Sequence, residues 1–274
     1  MLDSAVKTPD VTLQRVRGRG HVLMGVSGLK DLHQSGSAKA MLPKVHSKVP
    51  EVVFLNTSGG LTAGDQLDYR LEIEDGGSLV GTTQTAERAY ASRVEGEAAS
   101  VSVALRAGEG ATLHWLPQET ILFETSRLKR HTRAEIAGDA EFLFSEMIVL
   151  GRTAMGEMID TLHLSDRREI IRAGRVEFME PLEIDAGLLA ARENGATLAG
   201  ARAIATVGFF TRGAEDVAEQ IKRLSQDGVV AGVSGWNGKL VIRAHAADGY
   251  PLRRYVAQVL NTLRRTALPR VWQI

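Results

Sequence analysis

Three stretches of the chain, LEIEDGGSLVGTTQTAE, VALRAGEGATLHWLPQE and AEIAGDAEFLFSEM, share one plan: strand, glycine-containing turn, strand, acidic residue. Their turns, at Gly77, Gly110 and Gly138, lie roughly 30 residues apart, the spacing expected when similar coils stack on one another. The strands are read from alternation. In QLDYRLEIEDG, Leu67, Tyr69, Leu71 and Ile73 share one face, while Asp68, Arg70, Glu72 and Glu74 charge the other. Val101, Val103 and Leu105 alternate in the same way, as does HTRAEIAGDAEFLF. The fold class that follows is mainly β: stacked short strands forming a two-layer, β-solenoid-like scaffold, with two α-helices in the C-terminal third. A β sandwich that throws up such turns by chance is the simpler alternative.

The β-rich core is expected from about residue 11 to about 210, after which the period changes. GAEDVAEQIKRLSQDG carries acids in its first turn, Val217, Ile221 and Leu224 on one stripe and a closing Gly228, which predicts an amphipathic helix near 214–227. Asn237-Gly238 predicts a hairpin between VVAGVSGW and KLVIRAHA. A last helix begins at Pro251, with Leu252, Val256, Val259, Leu260 and Leu263 on one side and Arg253, Arg254, Arg264 and Arg265 expected to face away. One domain over 1–274 is expected, comprising that core and a helix–hairpin–helix region from about 213, with the first ten or so residues mobile.

At 274 residues the chain is long enough to bury a substantial core, and its 33 basic residues balance its 33 acidic ones. No overall field draws it to nucleic acid or to an anionic membrane. Cysteine is absent, which excludes disulfides, thiolate metal sites and cysteine nucleophiles and fits a reducing compartment. The N-terminal stretch has no apolar segment followed by a small-residue cleavage site, and nowhere do about 18 apolar residues run unbroken. A cytoplasmic protein is the expectation.

The glycines of LNTSGGLTAGD have the spacing of a nucleotide loop from Gly59 to Gly64, but Asp65 stands where such a loop needs lysine. A carboxylate there opposes phosphate, so the stretch reads better as a tight β corner. Beside the turns lies a set of acids, Asp65, Glu87, Glu119, Glu124 and Glu146. If the coils stack, Glu87, Glu119 and Glu146 take comparable places and line one side of a groove or passage. Clustered carboxylates suit divalent cations, and a transition metal would also accept an imidazole such as His114. The bland reading is that each acid pairs with a cation or holds a turn. There is no HExxH and no GxSxG, so neither a preformed zinc site nor a nucleophile elbow is indicated. Paired carboxylates on such a scaffold also suit a β-solenoid carbohydrate-active enzyme, although 5% aromatic residues make a poor sugar platform.

LNTSGGLTAGD, TTQTAERAYAS, LPQETILFETSRLKR and VLGRTAMGE together resemble, in order and spacing, the signature blocks of the urease accessory protein UreD (UreH) family. Two departures stand out: Ala63 replaces a glycine of the usual loop, and Arg88 stands where lysine is common. The resemblance implies a non-enzymatic maturation factor that, with UreF and through it the GTPase UreG, binds apo-urease and helps deliver nickel to the buried active site. UreE commonly supplies the metal upstream. The implied partners are UreF, UreG and the urease structural subunits. No cofactor is tightly bound; Ni2+ is in transit, and an internal water-filled passage is its proposed route in the family. On this basis Asp65, Glu87, Glu119 and Glu146 are the candidate passage or turn residues, with Arg88, Tyr90, Gln118 and Glu124 as supporting polar groups. Asn56, Gly59, Gly60 and Gly64 form the signature loop. No tight metal site and no catalytic residue are expected.

Overall fold

The computed structural model describes residues 15–44, 49–94, 96–152 and 155–273, so the expectation for the first ten residues lies outside what it describes. The chain deals its strands in turn to two facing sheets. First come β1 (Arg17–Gly25), β2 (Gly28–Gly36), β3 (Ala38–Met41) and β4 (Glu51–Asn56). Three coils follow, each running from one sheet through a sharp corner into the other. They are β5 (Gln66–Ile73) to β6 (Ser78–Thr83) with the short β7 (Glu87–Ala89), β8 (Ala99–Ala107) to β9 (Thr112–Leu116) with the short β10 (Thr120–Leu122), and β11 (Arg127–Ile136) to β12 (Glu141–Leu150). Next are β13 (His163–Arg172), β14 (Arg175–Ile184) and the short helix α1 (Ala186–Ala190). The C-terminal region contains β15 (Ala203–Phe210), α2 (Ala218–Lys222), the hairpin β16 (Val229–Trp236) and β17 (Lys239–Ala246), and α3 (Gly249–Leu263).

The first sheet has the order β14-β13-β11-β8-β5-β1-β2, and the second β16-β17-β15-β12-β9-β6-β4-β3, with β10 joining β12 to β7. Neighbouring coils pair in parallel because each traverses the sheets in the same direction. The three similar segments are therefore stacked coils. Ile73, Ala107 and Ile136 stand in one row before the corner, and Ser78, Thr112 and Glu141 in one row after it. The corners are stitched to each other: the Gly108 N–H donates to the Ile73 carbonyl at 3.0 Å and the Ala137 N–H to that of Ala107 at 2.9 Å.

Between the sheets lies a continuous core that includes Phe54, Leu71, Leu113, Trp115, Phe142 and Phe144, each large apolar side chain contributing about 1.5–3 kcal/mol by leaving water. The outer face of the first sheet is charged, as the alternation required: Arg70, Arg106 and Arg133 lie there among Glu72, Glu135 and Glu169. The outer face of the second sheet is apolar, because α3 covers it with Leu252, Val256, Val259, Leu260 and Leu263 against Val80, Leu116, Leu143 and Met147. That explains why β12 reads as a nearly unbroken apolar run. Both its faces are buried.

The C-terminal elements differ from expectation in two ways. The helix near 214–227 is shorter, a 3-10 turn at Ala214–Val217 followed by α2, since Ile221 is the buried anchor of α2 and the stripe is too short to hold further turns. Nor do all four arginines of the last helix face away. Arg254 and Arg265 are exposed, but Arg264 is buried and Arg253 turns inward to Glu119 at 2.9 Å and over the Trp272 ring at 4.7 Å. The Trp272 indole N–H in turn donates to the Leu116 carbonyl at 2.9 Å, so the C-terminal segment is tied to β9.

Candidate functional site

The four sequence blocks meet at the end of the coils opposite the Gly77, Gly110 and Gly138 corners. Backbone bonds join them: Leu61 donates to the Arg88 carbonyl and Tyr90 to that of Leu61, both at 2.7 Å, while Phe123 donates to Ala89 at 3.0 Å and Gly151 to Leu122 at 2.8 Å. Gly60 needs to be glycine, because its φ is +151° and a Cβ would stand 2.3 Å from the Tyr90 ring and 2.9 Å from the Arg88 carbonyl. The Tyr90 hydroxyl donates to the Gly59 carbonyl at 3.0 Å, closing the loop over itself. Gly59 and Gly64 both have φ of +81°, whereas Ala63 lies outside the positive-φ positions, consistent with the tolerated departure from glycine there.

Asp65 closes this corner from beneath. It is buried, and its two oxygens accept N–H groups from Val16 at 2.7 Å and Thr62 at 2.8 Å, the second a local turn bond. Ahead of the third coil Glu124 holds the backbone in a similar way, accepting from Asp160 at 2.8 Å and Thr161 at 3.1 Å. Arg88 is exposed, and its backbone N–H donates to Glu87 at 3.1 Å.

Glu87 lies at the centre of the arrangement. Its oxygens accept from Asn56 Nδ2 at 3.3 and 3.2 Å. It lines both a pocket of about 190 Å3 at the signature loop and, beside it, a chamber of about 50 Å3 between the sheets. Tyr69 and Thr83 complete the shared wall. Deeper in, Gln118, Thr120, Arg130 and Glu146 give the chamber its polar lining. Burial pushes the Glu87 carboxyl up to about 7, against the lowering pull of the Arg88 N–H and Asn56. Burial, and the neighbouring Glu87, also raise the Tyr69 hydroxyl.

Of the four candidate acids, the chamber thus brings together Glu87 and Glu146 with Gln118, and leaves out Asp65 and Glu119. Glu119 was expected in a place comparable to theirs but points to the opposite face of the second sheet, towards Arg253 of α3. The cause is Pro117. It ends β9, and the chain resumes as β10 with its facing reversed, so that Trp115 and Thr120, five positions apart, both face the chamber.

Behind the chamber lies a buried ionic network that the acids alone did not reveal. Arg130 reaches Glu146 at 2.9 Å and clasps Asp166 with two nitrogens at 2.9 and 2.6 Å. Arg168 binds Glu146 at 2.8 Å, Asp166, and Glu180 at 2.5 Å, and Glu180 meets the exposed Arg243 at 2.7 Å. Thr132 donates to the remaining Glu146 oxygen at 2.8 Å. A track of charge therefore runs from the chamber to the far surface. Burial opposes the charge on both guanidiniums, but Asp166 and Glu146 outweigh it and hold them above the ordinary arginine value. Burial likewise works to raise the Asp166 carboxyl, yet Arg130 and Arg168 together hold it below its usual range. Period two carried the signal for these residues. Arg130 stands in step with the apolar Leu128, Ala134 and Ile136, and Asp166 and Arg168 with Leu164 and Ile170.

Fold and site define a β scaffold of stacked coils that encloses a charged chamber. A model of the family described as UreD urease accessory protein matches residues 14–273. The chain is 50% identical over 268 residues to the urease accessory protein UreD of Dinoroseobacter shibae, covering 96% of this chain and 94% of that one. It is 48% identical over 274 residues to the UreD of a Jannaschia species, covering 100% of both chains, and 40% identical over 266 residues to that of Rhizobium leguminosarum, covering 95% and 96%. The chain belongs to the UreD family of urease accessory proteins. Among the described residues no helix is long and apolar enough to cross a membrane.

Proposed function

We propose that this protein is a non-enzymatic, cytoplasmic scaffold of urease maturation that, with UreF and through it UreG, binds apo-urease and passes Ni2+ through its interior toward the active site. The observation that carries the route is the placement of Glu87 in the wall shared by the outer pocket and the inner chamber, with Glu146 on the chamber's far side. A chamber of about 50 Å3 has room for only one or two waters, so an entering dication exchanges most of its hydration shell for protein oxygens. Glu87, Thr83, Thr120 and the Gln118 carbonyl are oxygen donors at hand. The test is reconstitution: co-express the chain with urease subunits and tagged UreF, then measure co-purification and nickel-dependent urease activation. The expected result is a complex with activation; loss of both with a folded chain removes the scaffold reading, and turnover of a sugar polymer by the chain alone would replace it.

A further inference from the structure

The interior carboxylates differ in what already holds them. Among the described residues, the donors to Glu87 are amides alone, Asn56 Nδ2 and the Arg88 N–H. Glu146 and Asp166, by contrast, are both engaged by the same two guanidiniums: Arg130 Nη2 lies 2.9 Å from Glu146 and 2.6 Å from Asp166, and Arg168 bonds to each. Sharing a single nitrogen brings the two carboxylates within a few ångströms of each other. Glu180 adds a third acid on Arg168. Without the arginines, Glu146 and Asp166 would stand as a buried, uncompensated pair of carboxylates, hard ligands for a divalent cation.

We propose that Arg130 and Arg168 are resident counter-cations, positioning residues that occupy Glu146 and Asp166 and so keep this track from closing into a metal trap. With Arg243 on Glu180, the guanidiniums balance the carboxylates, so a dication entering the cluster meets acids already neutralised and no complete set of free ligands. A passing ion can displace a guanidinium from one oxygen at a time, and the guanidinium then competes to expel it. The proposal rests on the interior being the nickel route, but its test does not depend on urease.

Arg168→Met in the full chain exposes the difference. Removing one guanidinium leaves buried carboxylates uncompensated, which lowers stability in the absence of metal. Ni2+ added as nickel sulfate is then expected to raise the melting temperature by about 5 °C or more, whereas the unaltered chain shifts little. Calorimetric titration should find Ni2+ bound about tenfold more tightly, or better, than by the unaltered chain. The double variant Arg168→Met/Glu146→Gln, which removes one of the freed ligands, should lose that gain. Arg168→Lys keeps the charge but cannot fork between Glu146 and Asp166, and should show a smaller gain in a chain that folds more readily. A folded Arg168→Met or Arg168→Lys protein that binds Ni2+ no more tightly than the unaltered chain overturns the proposal. So does an Arg168→Met chain that refolds no better with Ni2+ than without. If the unaltered chain fails to support urease activation while the variants still gain affinity, the delivery reading fails and the counter-cation role stands.

Discussion

At the scale of single residues, the signature loop and Glu87 make opposite demands on the fold. Gly60 meets Tyr90 and the Arg88 carbonyl with no room for a methyl group, whereas a Cβ at Gly59 would have nothing within 4 Å. Gly60→Ala should therefore cost about 2–3 kcal/mol, through strain and displacement together, and Gly59→Ala only about 1 kcal/mol, through its positive φ. Urea titration of the two variants would measure the gap, and equal losses would refute the packing argument. Glu87 contributes in the other direction, because its folded-state carboxyl is pushed up to about 7 from an ordinary value of 4.5. Between those two values the folded chain keeps a proton that the unfolded chain has lost. Stability therefore falls as pH rises through this window and is level above it. Glu87→Gln removes the effect. Relative to the unaltered protein, the glutamine variant should gain up to about 3 kcal/mol between pH 4.5 and 8, read from denaturation curves at the two ends. The loop and the acids beside it were legible as types and spacings; which acid would carry this burden was not, since it depends on how deeply the packing of the two sheets buries Glu87.

At the scale of elements, legibility followed how local each signal was. The paired corners could be read because alternation and turn glycines recur within each coil, and α3 could be read because its apolar stripe repeats over four turns. Arg253 was misplaced for the complementary reason: helical spacing says which side a residue is on, but not that Glu119, from the break between β9 and β10 more than a hundred positions earlier, stands within reach. The same remoteness hides the tie made by Trp272. It is buried, stacks beneath Arg253 and donates to the Leu116 carbonyl, holding the C-terminal segment and α3 against the second sheet. Trp272→Ala should cost about 3–5 kcal/mol, most of it from the lost apolar burial. Amide exchange would check where the loss falls: protection should drop first in α3 and the outer face of β9, while the corners at Gly110 and Gly138 keep theirs. Uniform loss across both sheets would mean that α3 is not a separable layer.

At the scale of the whole molecule, the stacked coils turn a list of acids into an inside and an outside. The acid near the end of each similar segment made Glu87, Glu119 and Glu146 look comparable, but a strand's side chains change face with every residue, and the break at Pro117 puts Glu119 out of step. Asp65 is separated from the others in a different way, both its oxygens being spent on the N–H groups of Val16 and Thr62. The delivery reading then makes a prediction that spacing alone could not. In the reconstituted urease system, Glu87→Gln should lower nickel-dependent activation several-fold while the complex still co-purifies, because the shared wall of pocket and chamber loses its free carboxylate. Glu119→Gln should leave activation per recovered complex within about twofold of the unaltered protein, since Glu119 lies outside the chamber and the glutamine can still accept from Arg253. Asp65→Asn should act through folding, lowering the yield of soluble chain and activation together, with activity per folded molecule preserved. The three outcomes are separable by normalising activation to the amount of complex recovered. If Glu119→Gln proves as damaging as Glu87→Gln on that scale, nickel does not travel between the sheets, and the route belongs on the outer face, where Glu119 and Arg253 meet.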